Sequence, residues 1–108
     1  MLGVLSARVG SIGDNRLGGW HGYRASKAAL NQIVRTAAIE LKRHRPETLC
    51  VALHPGTVDT GLSSPFSKAG LAVQRPAEAA ARLLTVIERL TPPETGGFFD
   101  YRGERLPW

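Results

Sequence analysis

The sharpest chemical signal in the sequence is Tyr23-Arg24-Ala25-Ser26-Lys27. On a helix, residues i and i+4 share a face, so the Tyr23 phenol and the Lys27 ammonium would be neighbours. A cation beside a phenol favours the phenolate and lowers its pKa from about 10. A tyrosine tuned in this way can give or take a proton at a carbinol or carbonyl oxygen. A serine hydroxyl nearby could hold that oxygen, and both Ser6 and Ser11 lie upstream. Taken alone, Tyr and Lys four residues apart also describe an ordinary helix start, with the ring packed and the ammonium in solvent.

The elements that must position this pair can be read from periodicity. Residues 3–7 form a short apolar run and read as a buried strand or its tail. Residues 10–22 are rich in glycine, with Asp14, Asn15 and Trp20 among them, and read as a loop. Residues 23–45 contain no Gly or Pro, and Ala29, Leu30, Ile33, Val34, Ala37, Ala38 and Leu41 follow helical spacing. That helix would be roughly 33 Å long, and Pro46 ends it. Residues 48–54 form a nearly continuous apolar run, which fits a strand covered on both faces of a parallel sheet. Residues 57–73 read as loop. A second, largely buried helix opens at Arg75-Pro76, with proline at an early helical position, and Thr91-Pro92-Pro93 ends it. Residues 96–101 read as the last strand. The order is strand, helix, strand, helix, strand, an α/β pattern that predicts right-handed crossovers and a doubly wound parallel sheet.

Composition narrows the functional classes. The chain has 108 residues, enough for one domain, and its charge is 14 − 9 = +5. Six of the cations lie between Arg24 and Arg45, opposed there only by Glu40. No aromatic residues interleave with them, so a helix face with cations towards its C-terminus accounts for the cluster better than a nucleic-acid surface. No nucleic acid and no membrane are expected as partners: no run of 18 apolar residues occurs. The first six residues do not form a secretory signal. Cys50, the single cysteine, reads as a core thiol and excludes an internal disulfide or a cysteine-rich zinc site. His21, His44 and His54 have no metal-ligand spacing, so no metal is expected, and His54 reads as a packed histidine. Together these point to a cytoplasmic protein.

The stretch Gly22-Tyr23-Arg24-Ala25-Ser26-Lys27-Ala28-Ala29-Leu30 resembles the active-site helix of the short-chain dehydrogenase/reductase family. Ser6-Ala7-Arg8-Val9-Gly10-Ser11-Ile12 resembles that family's serine segment, and His54-Pro55-Gly56-Thr57-Val58-Asp59-Thr60 its Pro-Gly loop beside the nicotinamide. Residues 97–108 resemble its seventh strand and tail. The nearest subgroup is that of C-factor proteins and sniffer-type carbonyl reductases. The resemblance covers nearly the whole chain and implies the C-terminal half of a Rossmann-like domain.

By this resemblance Tyr23 is the proton donor or acceptor, and Lys27 binds the nicotinamide ribose. Pro55, Gly56, Val58 and Thr60 line the cofactor. The implied cofactor is NAD(P), with NADP ahead of NAD, and the substrate a small carbonyl or alcohol. Trp20 and Phe66 are candidates for the substrate pocket, and residues 63–72 resemble the family's substrate loop. Asp59 reads as a helix cap. The serine stays open: the family position three residues before the glycine is Ala7, leaving Ser11, or alternatively Ser6.

The glycine-rich phosphate cradle of the family is absent from these 108 residues, as is the residue that selects NAD or NADP. The sequence therefore reads as a single partial domain without its cofactor-binding half. On its own it is not expected to bind NADPH tightly. In the complete form the family implies a homo-oligomer. The rival reading is a non-catalytic remnant acting only through association or signalling.

Overall fold

The computed structural model describes residues 1–58 and 73–108. Three strands, β1 (Leu2–Leu5), β2 (Cys50–His54) and β5 (Phe98–Asp100), form one sheet in the order β1-β2-β5. Both pairings are parallel, with Gly3 opposite Val51 and Leu53 opposite Phe99. Between them come α1 (His21–His44) and α2 (Pro76–Arg89). The strand-helix-strand-helix-strand order and the parallel α/β architecture are as the sequence predicts. The last strand is shorter than residues 96–101, because Gly96 takes a left-handed φ of 80° and turns the chain into β5. Two further strands, β3 (Thr57–Val58) and β4 (Val73–Gln74), pair in parallel within what reads as loop from sequence. Two-residue strands leave too short a pattern to detect.

β2 is central and its residues alternate between two cores. Cys50 and Ala52 face α1, packing with Val34, Ala38 and Phe98. Val51 and Leu53 face the other way, against Leu83 and Val86 of α2 and Phe99. A strand covered on both faces explains the apolar run without alternation.

The helices therefore lie on opposite faces while the strand order advances in one direction. The two crossovers must have opposite hands, so the expectation that both are right-handed fails for one of them.

Each helix buries a narrower stripe than its apolar pattern suggests. On α1 the buried residues are Asn31, Val34 and Ala38, while Ile33 remains 64% exposed. On α2 they are Ala79, Leu83 and Val86, and Leu84 is exposed, so this helix is not largely buried. Pro76 sits in its first turn, where the missing N–H costs no hydrogen bond.

The tail folds back on β5. The N–H of Leu106 donates to Phe98 O at 2.7 Å, and Trp108 stacks on Phe98 with centroids 5.4 Å apart. This pairs the outer edge of β5, which would otherwise offer free backbone groups. Among the described residues, no helix is long and apolar enough to cross a membrane.

Candidate active site

After β1 the chain forms a 3₁₀ turn, Arg8–Gly10, that docks on the first turns of α1. Gly10 makes the close approach possible. A Cβ there would lie 2.8 Å from Lys27 Cβ and 2.9 Å from the Lys27 carbonyl carbon. The loop then reaches α1 through Trp20, which precedes the helix in the left-handed region at φ 53°. Arg24 staples this entry: Nε donates to Gly19 O at 2.8 Å, and the two Nη atoms donate to Gly18 O and Val9 O. From sequence, Arg24 counted only as charge. Its place beside Tyr23, after a run of glycines with free carbonyls, was the available clue.

The structure brings Tyr23 and Lys27 together. Lys27 Nζ lies 5.8 Å from the Tyr23 ring centroid, within cation–π range, and Tyr23 is 44% exposed. Ser26 Oγ donates to the Tyr23 carbonyl at 2.8 Å, inside the helix turn. Trp20 meets the Tyr23 ring edge-on, with centroids 6.3 Å apart.

The two serines are occupied within the protein. Ser6 Oγ donates to Asn31 Oδ1 at 2.6 Å, and Asn31 Nδ2 is left buried without a partner. Ser11 Oγ donates to Pro107 O and accepts from the Asp14 N–H. Ser11 thus joins the post-β1 loop to the tail and caps its own turn.

Pro55 and Gly56 follow β2 directly. Gly56 has a φ of 80°, and a Cβ there would lie 2.3 Å from Gln74 Nε2 and 2.8 Å from the Tyr101 ring. Gln74 Nε2 donates to Pro55 O at 2.7 Å, and Arg82 binds the far end of the Gln74 amide at 2.9 Å. Only glycine suits this turn, on both backbone and packing grounds. Val58 lies in β3. Thr60, Phe66, Asp59 and the loop 63–72 lie outside the described residues.

Two titratable groups stand beside these turns. His54 is packed, and its Nδ1 accepts the Arg8 N–H at 3.1 Å. Burial, then the Arg8 charge, lowers its pKa to about 4, so the ring is neutral at pH 7. Asp100 is fully buried. Burial alone would raise its pKa, yet the Glu104 and Arg102 N–H groups and the Arg102 guanidinium hold it below the usual value. Nothing in the sequence pattern marked Asp100. Cys50 is buried as expected, and burial pushes its thiol pKa up.

The donor set at the start of α1 is a phenol and an ammonium one turn apart. Such donors suit a carbonyl oxygen and vicinal sugar hydroxyls, so the residues present fit the nicotinamide-ribose end of a dinucleotide. Among the described residues, no group of three or more His, Cys, Asp or Glu could hold a metal. A surface groove of about 410 Å³ is lined by Arg35, Phe98, Arg105 and Trp108 rather than by Tyr23 or Lys27.

Parallel strands wrapped by helices on both faces, with the Tyr–Lys pair after β1, define a Rossmann-like α/β fold. No family model matches the chain. It is 42% identical over 106 residues to the C-signal protein of Myxococcus xanthus, covering 96% of this chain and 58% of that one. The solved structure of carbonyl reductase Sniffer of D. melanogaster superposes with a TM-score of 0.81 at 33% identity, over 98% of this chain and 41% of that one. The NADPH-bound carbonyl reductase from chicken fatty liver gives 0.82 at 32% identity, over 96% of this chain and 41% of that one. The chain belongs to the short-chain dehydrogenase/reductase family. It spans about half the length of the curated relatives it matches.

Proposed function

We propose that the chain supplies the proton-transfer side of an NAD(P)-dependent oxidoreductase acting on a small carbonyl or alcohol. The observation that carries this reading is the Tyr23–Lys27 pair at the exposed start of α1, with Lys27 Nζ 5.8 Å from the ring. The NADPH bound in the chicken carbonyl reductase favours NADP over NAD. When bound, the nicotinamide would supply the hydride. Tyr23 Oη donates its proton to the substrate oxygen as charge develops there, and takes it back in the reverse direction. The Lys27 ammonium binds the ribose hydroxyls and stabilises the phenolate left on Tyr23. Pro55 and Gly56, braced by Gln74 and Tyr101, form one wall for the ring, and the family resemblance assigns Val58 and Thr60 to the cofactor as well. Trp20 and Phe66 are assigned to the substrate side. Ser11, or Ser6 in its place, holds the substrate oxygen after giving up its present acceptor, Pro107 O or Asn31 Oδ1.

The test uses reduced nicotinamide mononucleotide, which carries the ring and ribose without the adenosine half. Saturable shifts of the Tyr23 and Lys27 amides in an NMR titration are expected, and Lys27→Met should abolish them. With a small aldehyde added, oxidation followed at 340 nm should fall about 10²- to 10⁴-fold in Tyr23→Phe. A folded chain whose Tyr23 and Lys27 amides ignore the mononucleotide would refute the reading. Exposed Ile33 and Ile39 on α1 favour a second role, homo-oligomerisation through this helix, which sedimentation velocity would reveal.

A further inference from the structure

The proposed chemistry does not use the buried carboxylate of Asp100, which reaches both sides of the site. Its Oδ1 accepts the N–H groups of Arg102 and Glu104, at 2.9 and 3.0 Å, and closes the turn after β5. Its Oδ2 accepts from Arg8 at 3.2 Å and from Arg102 at 3.0 Å. The two arms diverge from there. Arg8 opens the turn whose Gly10 rests on Lys27, and its own N–H is fixed by His54 at the end of β2. The Arg102 guanidinium lies 5.4 Å from the centre of the Tyr101 ring, which packs on Gly56.

We infer that the Asp100–Arg8 ion pair is a positioning unit that sets the spacing between the Tyr23–Lys27 turn and the Pro55–Gly56 turn. The inference rests on the reading that those two turns face one ligand. The arrangement suits a gauge better than a glue. An ion pair with one partner buried and the other partly exposed adds little net stability compared with apolar packing. Its directed hydrogen bonds, however, fix where each partner's backbone can lie. Neither Arg8 nor Asp100 is assigned a part in proton transfer.

The test compares amide spectra of the folded chain with those of three variants. Asp100→Asn keeps an acceptor for the turn N–H groups and removes the Oδ2 arm. Arg8→Met removes the same pair from the other side, and Arg8→Lys restores a cation. The Gly10, Lys27 and Gly56 amides should move together in Asp100→Asn and Arg8→Met, and return towards the parent position in Arg8→Lys. The Glu88 amide, on the exposed face of α2, should stay in place. Should those variants fail to fold, Arg102→Met cuts the other arm together with the exposed Arg102–Glu104 pair, and should move Gly56 while leaving Lys27 in place. Variants that lose thermal stability while Lys27 and Gly56 keep their shifts would overturn the inference, as would Arg102→Met without effect on Gly56. The mononucleotide titration judges the function separately: its failure in the parent chain leaves the amide comparison intact.

Discussion

Replacing Gly10 by alanine adds one methyl group where the structure has no space for it. The new Cβ would lie 2.8 Å from Lys27 Cβ and 2.9 Å from the Lys27 carbonyl carbon. Carbon atoms in good contact sit about 3.5–4.0 Å apart, so the two segments must separate by roughly 0.7–1 Å. Neither opposing atom can rotate away, since both are fixed by the backbone of α1. Overpacking of this kind costs about 1–3 kcal/mol, and a rigid neighbour puts Gly10→Ala near the top of that range. For a chain of this size, about 2–3 kcal/mol lowers the melting temperature by roughly 10–20 °C. Gly3→Ala is the control: its Cβ would meet Leu53 Cδ1 at 3.0 Å, the free end of a side chain that can shift. That variant should lie within about 1 kcal/mol of the parent. Urea and thermal denaturation followed by circular dichroism at 222 nm measure both. A Gly10→Ala variant as stable as Gly3→Ala would mean that the Arg8–Gly10 turn does not press on α1 as described.

Further outcomes follow from the same geometry. Phe98→Ala empties the centre of the α1-side core and removes the platform for Trp108, and should cost about 3–5 kcal/mol in urea denaturation. Because the folded pKa of His54, about 4, is depressed below its unfolded value of 6.5, its contribution to stability is complete above pH 6.5 and is lost as the pH falls towards 4. Asp100, also depressed, adds an acid loss that sets in below its ordinary value of 3.8. His54→Gln should flatten the stability profile between pH 6.5 and 4; an unchanged slope there would show that another group titrates. Cys50 should resist iodoacetamide in the native chain and react fully in urea, so rapid native labelling would contradict its burial.

The architecture was legible where periodicity runs long. Residues 23–45 announced a helix because no breaker interrupts them, and residues 48–54 announced a buried strand because β2 is covered on both faces. What the pattern lacked was three-dimensional pairing. Ile33 and Leu84 carry the right hydrophobicity for a core but fall outside the narrow stripes that meet the sheet. Asn31 takes a buried place on α1 because Ser6 reaches it from the end of β1, a contact 25 positions away in sequence. The Tyr23–Lys27 neighbourhood followed from helix spacing alone, because both residues sit on one element. The Asp100 cluster joins Arg8 and His54 from separate elements, and no local spacing encodes that meeting. The opposite hands of the two crossovers were hidden too, since strand and helix order leaves the face of each helix undetermined.

The placement of β2 at the centre of the sheet also bears on how the chain folds. Leu2 pairs with Cys50, a separation of 50 − 2 = 48 residues, and Ala52 pairs with Phe98, a separation of 98 − 52 = 46. Neither pairing in the main sheet is local, and β1 and β5 do not pair with each other. Every ladder bond therefore waits on loop closure, and the entropy of that closure is lost before any pairing repays it. α1, the longer of the two described helices, gains structure from neighbours in sequence. The transition state should hold this helix against β2, with Val34 and Ala38 already on Cys50 and Ala52, while β5 and the tail arrive afterwards. Substitutions at Val34 would then slow refolding, whereas Trp108→Ala would chiefly speed unfolding.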